Sequence, residues 1–162
     1  QPYWSRATHT DFQAPSGYFG AGSAPLVDGD RVIVNVGGPK GAGIVAFALD
    51  SGKTLWSVTD ELASYAAPMA AEIEGQRRIL VVTRLNFLGL EPVTGRELFR
   101  VPFGARGPTV NGATPVVVGR HALLTASYGI GARYIQLGAA SAEVTWDDEI
   151  LSSQYTTPIV HD

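Results

Sequence analysis

The sequence predicts an all-β protein written as a repeat, and three observations carry that prediction. A proline preceded by a small residue recurs as Ala24-Pro25, Ala67-Pro68, Thr114-Pro115 and Thr157-Pro158, at intervals of 43, 47 and 43 residues. Each of the first three prolines is followed 31 residues later by a large aromatic side chain: Trp56, Phe99 and Trp146. Between proline and aromatic, every unit holds four short runs rich in β-branched and aromatic residues, separated by turn residues. Four strands in a unit of this length is the signature of a β-propeller blade, a small antiparallel sheet that buries its faces against its neighbours around a channel.

Residues 1–22 form an N-terminal segment, expected as the end of a preceding blade, with Trp4 in the place of its aromatic. The distance from Trp4 to Pro25 is 21 residues, against 12, 16 and 12 for the later gaps. The first complete unit, 23–62, predicts strands over Pro25–Val27, Arg31–Val36, Ile44–Leu49 and Thr54–Val58. The unit 63–109 predicts Pro68–Glu72, Arg78–Thr83, Phe87–Leu90 and Glu97–Val101. The unit 110–152 predicts Pro115–Val118, Ala122–Ser127, Arg133–Leu137 and Val144–Trp146, and 153–162 begins a further blade. Proline lacks an N–H and suits the start of an innermost strand. An aromatic ring on the outer strand supplies the burial that a lone four-stranded sheet lacks, about 1.5–3 kcal/mol for each fully buried side chain. The best helical candidate, Asp60–Ala67, is too short to be more than a linker.

Composition narrows the function classes. The chain has 162 residues, 45% hydrophobic and 17% charged, with a formal net charge of −3 and no basic stripe to meet phosphates, so a nucleic-acid partner is not expected. Its 19 glycines and 10 prolines punctuate short elements. Zero cysteines exclude disulfides, thiolate zinc sites and a cysteine nucleophile. Aliphatic runs such as Ile79-Leu80-Val81-Val82 are far too short for a transmembrane helix. Closed propellers use about 4–8 blades, so a chain with three to four is expected to be a fragment of a longer protein, or to self-associate to complete a ring.

The stretch Ser23-Ala-Pro-Leu-Val-Asp-Gly-Asp-Arg-Val-Ile-Val, followed by Val45-Ala-Phe-Ala-Leu-Asp and Ser51-Gly-Lys-Thr-Leu-Trp56, resembles the repeat of the PQQ-like (pyrroloquinoline-quinone-like) propellers. Thr94-Gly-Arg-Glu-Leu-Phe99 repeats its last part, and Ala139-Ala-Ser-Ala-Glu-Val-Thr-Trp146 is a degenerate third copy. Trp146-Asp147 imitates a WD dipeptide without any Gly-His partner, and Gly37-Gly38 imitates a kelch double glycine in one unit only. The PQQ-like family includes periplasmic quinoprotein dehydrogenases, the propeller lipoprotein of the outer-membrane β-barrel assembly machinery and many exported bacterial proteins. The resemblance therefore implies a periplasmic or cell-surface location, and either a non-catalytic scaffold or part of a quinone-dependent dehydrogenase that would need PQQ and calcium.

Catalytic signals are thin. Gly52-Lys53-Thr54 lacks the upstream glycine and following helix of a phosphate-binding loop, and Gly37–Gly43 lies between two strands, as a hairpin does. His9, His121 and His161 are scattered, and the acidic pairs fall in turns. No position matches the catalytic aspartate, calcium ligands or adjacent cysteines that the dehydrogenases would supply. The expectation is accordingly no catalytic residue, no metal and no cofactor. Three residues before the repeat prolines stand Gly22, Tyr65, Gly112 and Tyr155. The segments that enter the innermost strands belong on one propeller face, so Phe19, Tyr65, Asn111, Gln154 and Tyr155 are candidates for binding a protein partner or small ligand there, with packing between blades as the competing reading.

Overall fold

The computed structural model describes residues 3–17 and 20–161. After a four-residue helix α1 (Thr8–Asp11), twelve strands follow in the order the repeat demands. β1 (Leu26–Asp28), β2 (Arg31–Gly38), β3 (Ala42–Ala48) and β4 (Thr54–Val58) form the first sheet. β5 (Met69–Ile73), β6 (Gln76–Val82), β7 (Asn86–Leu90) and β8 (Glu97–Pro102) form the second. β9 (Val116–Val118), β10 (His121–Ala126), β11 (Gly131–Gly138) and β12 (Ser141–Asp148) form the third. Each is a meander of antiparallel neighbours, so the partial propeller stands as expected. The main boundary difference is β12, which runs from Ser141 to Asp148 rather than over Val144–Trp146. The two-residue turn at Ala139-Ala140 lets pairing with β11 begin at once, and the polar Ser141, Glu143 and Asp147 hid the strand.

The aromatics recur in one register. Ala46 faces Trp56, Gly89 faces Phe99 and Tyr134 faces Trp146, and in all three sheets a bulge follows immediately, with Phe47 opposite Thr54, Leu90 opposite Glu97 and Ile135 opposite Val144. The extra residue, Leu55, Leu98 or Thr145, re-aims the ring beside it, as bulges do. Trp56 closes a core between the first and second sheets with Ile33, Ile44, Ile79, Val81 and Leu88. Phe99 closes a core between the second and third with Leu80, Phe87, Leu124, Ile135 and Leu137. The Phe99 ring packs against β7, where a methyl group on Gly89 would sit 2.2 Å from it. Trp146 occupies the same register on the third sheet but is 44% exposed. Among the described residues no further sheet covers it, and Tyr134 stands where the other blades carry Ala46 and Gly89.

Trp56 also reaches into the turn of the next blade. Trp56 donates its indole N–H to the carbonyl of Pro92 at 3.1 Å, and a methyl group on Gly95 would meet that indole at 2.6 Å. Gly95 holds φ at +73°, a conformation in which a side chain is already strained. Trp4 repeats the arrangement one blade earlier, donating to Leu49 O at 2.8 Å with Gly52 under its ring and Gly52 at φ +68°. With Phe12 and Ala14 it covers Val36, Val45 and Phe47 on the outer face of the first sheet. Glu91 fastens the β7–β8 turn by accepting from the N–H groups of Val93 and Thr94 and from the Thr94 hydroxyl. Burial alone would raise the Glu91 carboxyl, but those bonds outweigh it and hold the group below its usual range.

Candidate functional site

The strand ends at which β1 and β5 begin share one face of the molecule, together with the end of β2. On it lies a cleft of about 350 Å³ between residues 15–17 and 20–23, the end of β2, the β4–β5 connection, the β6–β7 turn and the β8–β9 connection. Its walls carry hydroxyls (Thr8, Ser16, Ser23, Ser64), apolar groups (Val34, Val36, Leu62, Pro108) and much bare backbone at Gly17, Gly20, Gly22, Gly37 and Gly107. Its lining includes His9, Tyr65 and Arg84 but no Asp or Glu among the described residues.

Arg84 is placed by the tight turn between β6 and β7, where its own N–H donates to Leu62 O at 3.0 Å. Its guanidinium donates through Nη1 to Ala105 O at 2.8 Å and to Thr109 Oγ1 at 2.7 Å, and through Nη2 to Gly107 O. All these acceptors are neutral. Burial pulls the Arg84 pKa below the usual arginine range, with Tyr65 acting weakly in the other direction. Asn35, 5% exposed near the end of β2, spends its Nδ2 on Val82 O at 3.3 Å and Ser64 Oγ at 3.4 Å, and its Oδ1 is buried without a partner. Glu61, beside Leu62 in the chain, is committed elsewhere, accepting from Thr83, Asn86 and Arg100.

The candidate residues are only partly brought together. Tyr65 lines the cleft and lies over Gly22, where an added methyl group would be 3.2 Å from its ring. Tyr155 lies over Gly112 in the same manner, 2.7 Å from such a methyl. The alternation of tyrosine and glycine is thus a pairing in which each ring rests on the glycine of the unit before. Tyr155 is 62% exposed, and a hydrogen bond with Tyr128, chiefly, raises its hydroxyl pKa. Asn111 is buried, its Nδ2 donating to Thr83 O at 2.8 Å, Phe103 O at 3.2 Å and Arg84 O at 3.3 Å. Gln154 accepts from the Ser127 N–H at 2.7 Å and donates to Val110 O. Phe19 lies outside the described residues.

Ser64, Asn111 and Gln154 are spaced by the repeat intervals of 47 and 43. Each binds the end of the second strand of the blade before: Ser64 through Asn35, Asn111 at the Thr83 and Arg84 carbonyls, Gln154 at Ser127. A second inter-blade ladder runs beside them, Ala67 N–H to Thr114 Oγ1 at 3.3 Å and Thr114 N–H to Thr157 Oγ1 at 3.1 Å. These struts hold the strand ends that shape the cleft. Arg84, Asn35 and Ser64 went unremarked in the sequence; for Ser64 the signal existed, since the repeat offset places it in line with Asn111.

A family model for repeats of this kind, described as "Outer membrane protein assembly factor BamB", matches residues 1–162. The chain belongs to that family. Among solved structures, BamB from Moraxella catarrhalis aligns with TM-score 0.52 and 14% identity over 78% of this chain and 37% of that one. The quinohemoprotein alcohol dehydrogenase from Comamonas testosteroni aligns with TM-score 0.54 and 16% identity over 78% of this chain and 20% of that one. At such identities the likeness is one of fold, and this BamB-family chain spans well under half the length of either structure. No curated protein matches it. No helix among the described residues is long and apolar enough to cross a membrane.

The cleft does not fit a calcium-bound quinone. Calcium takes oxygen ligands that normally include carboxylates. The lining supplies no Asp or Glu for that task, and no group of three or more His, Asp or Glu among the described residues is placed to hold a metal ion.

Proposed function

We propose that this chain is part of a non-catalytic PQQ-like propeller that serves as a protein-interaction scaffold on the periplasmic side of the cell envelope, seating a segment of a partner protein in the cleft. The observation that carries the reading is the chemistry of the cleft wall. Hydroxyls, bare backbone and aliphatic groups surround one guanidinium, a set that orients a chain by hydrogen bonds and apolar contact and offers no carboxylate for turnover. The family's description as an outer membrane protein assembly factor supports a protein partner and an envelope location. The reading needs no cofactor. The uncovered ring of Trp146 offers a second docking face, for a further blade or a second copy that completes the ring.

Leu62 stands on the cleft rim and is 52% exposed, so a benzophenone amino acid at that position reports on the occupant without disturbing the core. Irradiation of the protein in intact envelopes is expected to give one discrete adduct, lost when the probe is moved to the exposed turn residue Lys53. Purified protein supplied with PQQ, calcium, a primary alcohol and a redox dye is expected to reduce no dye. Dye reduction that requires all of these, with no adduct from position 62, would overturn the scaffold reading.

A further inference from the structure

We infer that the cleft recognises a carboxylate on its peptide partner, with Arg84 as the group that binds it; this deepens the proposed scaffold reading and rests on it. Three observations converge on Arg84. It is the one permanently charged side chain of the lining, in a cleft without any acidic residue among those described. Among the described residues it forms no ion pair, as Arg78, Arg96, Arg106 and Arg133 form none, but of these it alone lines the cleft. Its bonds to Ala105, Gly107 and Thr109 use three of the five N–H groups of a guanidinium and fix its plane, leaving Nε–H and one Nη2–H.

Two N–H groups on adjacent nitrogens of a fixed guanidinium form the fork that a carboxylate meets bidentately, and such charge-assisted bonds are about twice as strong as neutral ones. Partial burial makes the fork more demanding, because a desolvated cation gains more from an anion than a hydrated one does. A peptide partner supplies that carboxylate. The carboxylate has two sources, the free C-terminus of the partner or an Asp or Glu side chain within it. Neither source places a charge against another carboxylate, since Glu61 is turned to Thr83, Asn86 and Arg100.

The test is a titration of the folded protein, followed by amide chemical shifts, with three labelled probes of one length: Ac-Ala-Val-Leu as the free acid, Ac-Ala-Val-Leu-NH2, and Ac-Ala-Glu-Leu-NH2. The acid-bearing peptides are expected to bind at least about ten-fold more tightly than the neutral amide, the size of one charge-assisted contact. Whichever of the two binds tighter identifies the source. Arg84→Gln is expected to abolish the difference. Because Arg84 also holds the 105–109 loop, Leu62→Glu is the second variant: an exposed rim carboxylate that competes for Arg84 and weakens the acid peptides alone. Equal binding of acid and amide, no binding by any probe, indifference to both variants, or a stronger response to inorganic phosphate or to PQQ would each overturn the inference. An adduct from position 62 that survives Arg84→Gln would leave the scaffold standing and remove only the carboxylate.

Discussion

Replacing Trp56 by alanine is expected to lower the unfolding free energy by about 3–5 kcal/mol, the range for a buried aromatic whose site cannot collapse, whereas Trp146→Ala is expected to cost less than about 1 kcal/mol. The two residues occupy one register and one bulge, so a local account would give them one value. They differ in what lies over them. Trp56 is 8% exposed, is sealed by the second sheet and bonds the Pro92 carbonyl. Trp146 is 44% exposed and has no following sheet among the described residues. Urea melts of the two variants at one temperature read the difference directly, with unchanged slopes as the check that both still unfold as one unit.

Asn111→Ala is expected to destabilise by about 1–3 kcal/mol through a different mechanism, the orphaning of buried acceptors. One Nδ2 serves the carbonyls of Thr83, Arg84 and Phe103, and no water-exposed route replaces it at 1% exposure. Asn111→Asp is expected to be the worse variant, since it sets a carboxylate against three carbonyl oxygens. Thermal unfolding by circular dichroism checks both. A loss of peptide binding with unaltered stability would instead make Asn111 a contact residue of the cleft.

The repeat was legible because its physical cause is periodic. A proline begins each innermost strand, a ring closes each blade, and the intervals of 43 and 47 residues follow from four strands and their turns. The cleft was only half legible. Counting back from Pro68 reaches Tyr65, which lines the cleft, and Asn111 and Gln154 are neighbours of the Gly112 and Tyr155 that the same count reaches. Counting could not separate a residue that faces the cleft from one that braces it, because both occupy the same repeat position and differ in what the previous blade presents. Ser64 meets an amide side chain at Asn35, while Asn111 meets three bare carbonyls. Arg84 was invisible for another reason. Its lack of a carboxylate partner is a property of three dimensions, and no spacing in the chain encodes it. The exposure of Trp146 was likewise unreadable, since the sequence states the ring and not whether a sheet covers it.

The aromatic of one blade packs over the small turn residue of the next. The pairs run Trp4 with Gly52 and Trp56 with Gly95, and in the degenerate unit Phe99 shares a core with Ala142. A double-mutant cycle tests it with Trp56→Phe, Gly95→Ala and the two combined, measured by urea unfolding. The positive φ of Gly95 penalises alanine equally in both backgrounds and cancels from the cycle. The double variant is expected to be more stable than the sum of the single losses by at least about 0.5 kcal/mol, because the smaller ring makes room for the methyl group. Strict additivity of the two losses would contradict the account.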